Sequence, residues 1–318
     1  MNTFSIRRPF LPLLFPLAVR SLCVPSVRRH LATMSLASNI TPRTTFQVYP
    51  ASHFPQLQET HKKAKVKLIH VVRHAEGTHN VEGNYKDMIH LDARLTGKGM
   101  DQCHGLSKRV SDNTILLPTS KITVVTSPLT RCVQTALHSF PQLASTSDAE
   151  QHVEFLAHEG IRETVNFAAD RRRTIQEISN EFPRVKFLQQ HCPQDGDKIW
   201  DNYDDRLGQD WDNCRESSEL VVVVQRARKC FQFILDDLDH TPQVVVCTHS
   251  AVLRCILNWG QSGGLKTNIP PQTLDAEFDP STQTKLFEFC GDDEFQEHMK
   301  SDFDNCELRS FCLVQSLE

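Results

Sequence analysis

The chain has 318 residues, 39% of them apolar and 23% charged, the composition of an ordinary soluble globular protein with room for one large core. Its formal net charge of −4 hides an asymmetry: residues 1–58 hold six Arg and no Asp, Glu or Lys, which leaves 29 basic and 39 acidic side chains on the other 260 residues. A body of about −10 excludes a nucleic-acid surface, so any anionic ligand needs a concentrated patch of arginine.

Residues 1–35 read as a targeting peptide. Arg7, Arg8, Arg20, Arg28 and Arg29 lie among serines with no acidic residue, the composition of a mitochondrial transit peptide, and Arg29-His30-Leu31-Ala32 has the look of a matrix-processing site. The apolar run Pro9–Val19 offers a secretory alternative, which Pro12 and Pro16 within it disfavour. Initiation at Met34 would leave a cytoplasmic form. The run is too short to cross a bilayer, and no membrane partner is expected.

Residues 36–64 are polar and proline-interrupted and read as a linker ahead of a domain at 65–318. The domain opens on the apolar run Val66–Val72, the pattern of a strand buried on both faces. A helix is expected over 98–111, then a strand at Ile122–Thr126, a helix from Leu129 to Phe140 and a short strand at Val153–Leu156. Residues 164–217 break this rhythm. They are polar and charged, carry Trp200, Tyr203 and Trp211, and read as an inserted cap, whose aromatic residues are expected to pack it onto the core. Helical periodicity returns over 218–238, a strand follows at Val244–Cys247, and a helix at 251–258. The runs Lys285–Cys290 and Phe311–Leu317 read as edge strands or a terminal hairpin. Strands alternating with helices predict an α/β fold with a mostly parallel central sheet.

Eleven cysteines occur without a C-x-x-C pair or a zinc-type Cys/His spacing, and several fall inside apolar helical or strand patterns. They read as reduced core residues, and no metal site is expected.

Ligands of open α/β sheets bind beyond the carboxyl ends of the strands, and there the chemistry concentrates. The first strand runs into Arg73-His74-Ala75-Glu76-Gly77-Thr78-His79-Asn80, the second into Ser127-Pro128-Leu129-Thr130-Arg131-Cys132-Val133-Gln134-Thr135-Ala136, and the late strand into Thr248-His249-Ser250. An imidazole is a nucleophile near neutral pH, and guanidinium forks match phosphate oxygens. Convergence of Arg-His, Arg and His at one sheet edge therefore points to phosphoryl transfer.

These residues resemble the histidine phosphatase (phosphoglycerate-mutase-like) superfamily, whose R-H-G-type, S-P-x-x-R-x-x-Q-T-A, L-R-E-type and late T-H-G/S motifs occur here in order over about residues 66–260. The branch with R-H-x-x-G-x-H-N and a later D-R-R-R is the most similar, and Asp92-Ala93-Arg94-Leu95-Thr96-Gly97-Lys98-Gly99 matches the family's D-x-x-L-T-x-x-G. The resemblance implies a three-layer α/β/α fold and assigns roles. His74 would be the nucleophile, Arg73, Arg131 and His249 the cradle for the phosphoryl oxygens, and Asn80 a neutral donor. His79 and Ser250 would line the pocket. Within Asp170-Arg171-Arg172-Arg173, Arg171 or Arg172 would face a second substrate anion. The acid lies in Glu159-Gly160-Ile161-Arg162-Glu163, at Glu163 by motif register or at Glu159, which follows the strand more closely. Ala75 stands where the family usually has Gly; an added methyl group can reshape the pocket or lower the rate, but members of this branch tolerate Ala there, so the resemblance implies a variation and not a loss of activity.

The expected function is a metal-independent, cofactor-free phosphatase that passes through phosphohistidine and acts on a small phosphorylated metabolite. A phosphoglycerate mutase and a catalytically silent phosphate-binding or scaffold protein are the alternatives. The sequence leaves the natural substrate and the oligomeric state open.

Overall fold

Along the strand Gln243–Thr248 every residue is buried, yet its side chains serve two cores. Val244 and Val246 join one apolar cluster, while Val245 and Cys247 join another. This two-residue alternation, each valine contributing about 1.5–3 kcal/mol of burial, is what a sheet covered on both faces requires. The computed structural model describes residues 45–316 apart from 84, 86, 113–115, 117–120, 142–151, 195, 202–220 and 260–284. The proposed targeting peptide, Met34, Tyr203 and Trp211 lie outside the described residues.

Eight strands form one sheet: β1 (Phe46–Pro50), β2 (Ala64–Arg73), β3 (Lys121–Thr126), β4 (His152–Ala157), β5 (Val185–Lys186), β6 (Gln243–Thr248), β7 (Phe287–Phe289) and β8 (Leu308–Ser316). Their order is β5-β4-β3-β6-β2-β8-β1-β7. Every pairing is parallel except those of β8 with β2 and β1. On one face lie α3 (Gly97–Asp112) and α4 (Thr130–Ser139); on the other lie α6 (Val221–Asp236) and α7 (Ser250–Asn258). The three-layer α/β/α architecture with a mostly parallel sheet is thus as expected.

Two sequence expectations change. The segment read as a linker holds β1 and a helix, α1 (Phe54–Thr60), because Phe46 and Val48 alternate inward and Phe54 and Leu57 cover the end of the sheet. Of the two late runs, β7 does lie at an edge, but β8 is interior and the two do not pair. β8 is inserted between β2 and β1 and is buried over most of its length. In the described part of the cap, β5 extends the sheet beside β4, and α5 (Ile175–Glu181) packs Ile175 onto the α3/α4 core.

Register then positions the site. Arg73 pairs with Thr248, and Thr126 pairs with both Cys247 and Ala157. The residues that follow, His74, Ser127, His158 and His249, therefore leave the sheet along one edge.

Candidate active site

His74 is buried, and its Nδ1 stands 2.7 Å from the carbonyl oxygen of Ala75. A carbonyl only accepts, so Nδ1 carries the hydrogen and Nε2 keeps its lone pair. Burial, with Arg131 and His79 close by, holds this imidazole well below its ordinary pKa. The ring is neutral at pH 7, as a nucleophile must be. The loop is braced from far along the chain: Asn305 Nδ2 and the Cys306 amide both donate to the His74 carbonyl. Cys306 achieves this with φ of +61°.

His249 meets His74 edge to face, with ring centroids 5.1 Å apart. Its Nε2 lies 2.8 Å from Ser127 Oγ and 3.4 Å from Cys132 Sγ. Burial and the charge of Arg131 push its pKa well down. Ser127 and Cys132 thus orient this imidazole, a task visible in hindsight in the S-P-x-x-R-C run.

Arg131 sits in the first turn of α4 and is fully buried. Its Nη1 donates to the Ala169 carbonyl at 2.6 Å and its Nη2 to Asp170 Oδ1 at 3.1 Å, while Nε has no partner. Arg73 donates through Nη1 to the Phe303 carbonyl, and its buried Nε is likewise unpartnered. His79 completes the set. Asn80 accepts the Gly77 amide on Oδ1, which turns its Nδ2 toward His79 Nε2 at 3.2 Å. Nε2 must then accept, so Nδ1 carries the hydrogen, and that buried atom too has no partner. Burial drops the His79 pKa to about 2, with Arg131, His90 and Arg73 contributing. An unpaired buried donor costs about 1–3 kcal/mol. Three such donors are offset when an anion fills the space between them.

The carboxylates separate by partner. Glu163 accepts the Thr164 amide at 2.9 Å and the Ala251 amide at the start of α7 at 3.5 Å. It lies within electrostatic reach of Arg73 and Arg131, and burial, opposed first by Arg131, raises its pKa. Glu159 points elsewhere: Oε1 accepts Arg172 Nε at 2.6 Å and Oε2 faces Arg162 Nη1 at 3.4 Å. Asp170, which the sequence reading assigned no role of its own, is pushed up to about 7 by burial, opposed by Arg131 and reinforced by Glu163.

Several expected pocket residues have other work. Arg172 is buried and bonded to Glu159 and to the carbonyls of Arg173, Pro193 and Gly196. Instead of facing a second anion it holds the cap loop, because the Glu159 carboxylate captures it. Arg171 places its guanidinium 5.5 Å above the buried Trp200 ring. Arg173 bonds to Asp92, Glu181 and Thr130. Asp92 in turn binds the Thr130 amide at 2.7 Å, fixing the start of α4 beside Arg131. Asn80 braces the loop through Gly77 and His79. Ser250 opens α7, next to His249.

Two glycines explain the motif spacing. A Cβ on Gly77 would come within 2.7 Å of the His79 ring, and one on Gly99 within 2.2 Å of the Glu76 carbonyl. Gly77 makes room for His79, and Gly99 lets α3 close on the loop that carries His74. Ala75 needs no such freedom. Its φ is not positive, its amide donates to Thr135 Oγ1 at 3.0 Å, and its methyl group packs in the core with Cys103 and Val124.

The chain is similar to known proteins over most of its length. The model of the histidine phosphatase superfamily (branch 1) matches residues 69–270. A phosphoglycerate mutase-like protein of Arabidopsis thaliana is 31% identical over 163 residues, covering 43% of this chain and 58% of that protein, under two thirds of its length. Phosphoglycerate mutase-like protein 1 of the same plant is 27% identical over 277 residues, covering 79% and 82%. Among solved structures, the ecdysone phosphate phosphatase of Bombix mori is 15% identical with a TM-score of 0.41, covering 77% of this chain and 88% of that one. A family match over residues 69–270 that takes in Arg73, His74, Arg131, Glu163 and His249 settles the affiliation: the chain belongs to the histidine phosphatase superfamily.

Proposed function

We propose that the protein is a phosphomonoesterase that works through a phosphohistidine at His74 without a metal ion. One observation carries this reading: three unpartnered buried donors, on Arg73, His79 and Arg131, lie around an imidazole whose Nε2 lone pair is free. In the first step Nε2 attacks phosphorus and the ester P–O bond breaks, with its electron pair leaving on the alcohol oxygen. Arg73 and Arg131 hold the equatorial oxygens and supply charge that a metal supplies elsewhere, and the neutral His249 ring borders them. Glu163, kept protonated longer than an ordinary carboxyl, gives its proton to the leaving oxygen. In the second step the Glu163 carboxylate takes a proton from water, the water oxygen bonds to phosphorus, and the P–N bond returns its pair to Nε2. A small phosphorylated metabolite is the substrate class. Arg172 and Arg173 being held by carboxylates gives the mutase alternative no support, since a phosphoglycerate needs a second anion site.

The test is trapping in alkaline detergent with radiolabelled nitrophenyl phosphate, whose leaving group departs without a proton. Glu163→Gln should accumulate base-stable, acid-labile phosphoenzyme, because hydrolysis slows by about 10²–10⁴-fold. His74→Ala should form none and lose activity by about four orders of magnitude or more. Label on a residue other than His74, or full activity in H74A, overturns the mechanism. Phosphate binding without any phosphoenzyme would favour the silent binding protein.

A further inference from the structure

The short stretch that carries the acid is fastened from outside. Glu159–Ile161 forms a single 3-10 turn after β4, closed by the Arg162 amide on the Glu159 carbonyl at 3.1 Å. Side chains from two other elements reach the carbonyls of the stretch. Thr248, the last residue of β6, donates through Oγ1 to the Ile161 carbonyl at 2.7 Å. Arg226, in α6 and 63 residues beyond Glu163, reaches the others. Its Nη2 donates to the Glu163 carbonyl at 3.0 Å. Its Nη1 donates to that of Arg162 and also faces those of Glu159 at 3.3 Å and Gly160 at 3.4 Å. The turn lies directly on the helix. A Cβ on Gly160 would come within 2.4 Å of the Arg226 carbonyl oxygen, and Ile161 shares an apolar cluster with Val223 and Ala227.

The Glu163 carboxyl hangs from this backbone, meeting the Thr164 and Ala251 amides. Charge reaches it from four sides: Arg73 of β2, Arg131 of α4, Asp170 of the cap and Arg226 of α6. Arg73 and Arg131 serve the phosphoryl group as well. Arg226 differs, because its terminal nitrogens face carbonyls of the acid's own backbone. Resting on Glu163 as the acid and base of the phosphatase reading above, we infer that Arg226 is the positioning residue for that group. Its guanidinium fork fixes the backbone at Arg162 and Glu163, so that the carboxyl meets the leaving oxygen in the first step and water in the second. A planar fork spans neighbouring carbonyls that a single ammonium does not hold together. Misplacing such a group by about 1 Å can cost about 10²-fold in rate. Nothing in the sequence singles Arg226 out, since Arg228 and Lys229 follow it in the same helical stretch.

The test compares hexyl phosphate, whose alcohol leaves only with a proton, with 4-nitrophenyl phosphate, whose leaving group departs without one. Glu163→Gln sets the reference: kcat/KM should fall by about 10²-fold or more on hexyl phosphate and change by about fivefold or less on the nitrophenyl ester. Arg226→Met should reproduce that selectivity on a smaller scale. Its loss should be about tenfold or more on hexyl phosphate and about threefold or less on the nitrophenyl ester. With the nitrophenyl ester it should also hold more phosphoenzyme at steady state than the native chain, because hydrolysis of phosphohistidine still needs the Glu163 base. Arg226→Lys, which keeps the charge without the fork, should lose about threefold or more on hexyl phosphate alone, and it decides the matter if Arg226→Met does not fold. Losses of equal size on the two esters overturn the inference, since a general disturbance of the fold slows both. Undiminished turnover of hexyl phosphate in the folded variants overturns it too. A Glu163→Gln enzyme that hydrolyses hexyl phosphate at the native rate overturns the acid assignment itself, whatever Arg226 does.

Discussion

Two clusters of buried charge sit side by side at the sheet edge, and they differ in whether their hydrogen bonds close. In the cap cluster Arg162 donates to both oxygens of Asp197 at 2.6 and 2.7 Å, to Glu159, and to the Asp170 carbonyl. Arg172 uses all three of its nitrogens on Glu159 and backbone carbonyls. In the neighbouring cluster Arg73, Arg131 and His79 each keep one buried donor unused. A closed network has nothing left for a ligand and holds the loops together. An open one is a site waiting for acceptors. Composition does not tell them apart, since both contain arginines, carboxylates and a run of the cap.

The sharpest way to break this comparison is to delete one arginine from each cluster. Arg162→Met leaves Asp197 buried without the guanidinium that binds both its oxygens, while Glu159 keeps Arg172, a change that costs about 3–5 kcal/mol of stability. Burial pushes the Asp197 pKa up and Arg162 holds it below its ordinary value, so that stabilisation of the carboxylate is lost with Arg162. Arg131→Met should instead lower kcat/KM about 10²–10³-fold, the usual cost of one lost transition-state donor, with a smaller stability loss. Asp170, with its pKa already about 7, escapes the loss of Arg131 by taking up a proton. Urea denaturation midpoints and steady-state kinetics on both variants read the difference. Equal destabilisation of the two would mean that Arg131 is structural in the same sense as Arg162.

Asp170 joins the clusters, offering its side chain to Arg131 and its carbonyl to Arg162. It also sharpens their electrostatics. A negative Asp170 and a negative Glu163 raise each other's pKa, and Arg131 opposes both. In Asp170→Asn that repulsion disappears and Arg131 is freed to favour Glu163 as the anion. The Glu163 proton is then lost at lower pH, and the alkaline limb of kcat/KM for an alkyl phosphate should move down by about one pH unit. With a nitrophenyl ester, which leaves without protonation, the limb should move much less. Stability changes in a defined window. The folded state holds the Asp170 proton up to about 7 while the unfolded chain releases it near 3.8, so this group's contribution declines as pH rises between those values. Asp170→Asn should remove that decline. An unmoved limb would detach Asp170 from the acid.

What the sequence revealed follows from the range of the interactions. Arg73-His74, Ser127 to Arg131 and Thr248-His249 are local motifs at strand ends, and parallel register places them together once the strands are recognised. The choice between Glu159 and Glu163 was not local. Both lie in one tight stretch, and what separates them is capture of Glu159 by Arg172, thirteen residues away. The same capture ties Arg172 to Glu159 and is equally invisible in the sequence. The brace on the nucleophile loop comes from Asn305 and Cys306, 231 and 232 residues beyond His74, and no pattern near either end announces it. β8 read as an edge strand because hydropathy reports burial on a face and says nothing of neighbours within the sheet.

The smallest effect concerns Ala75, a departure from the family's R-H-G motif and a residue of neither charge cluster. Its methyl group lies in the α3/α4 core, its carbonyl fixes the His74 tautomer, and its amide is held by Thr135. Ala75→Gly should therefore cost about 0.5–1 kcal/mol through backbone freedom, plus the lost burial of one methyl group. The rate should change by about twofold or less, because the tautomer is set by a backbone oxygen that both residues possess. A tenfold gain in kcat would show the methyl group obstructing the cradle. A tenfold loss with KM unchanged would carry a different meaning: that alanine at this position supplies rigidity the carbonyl needs to hold the His74 hydrogen.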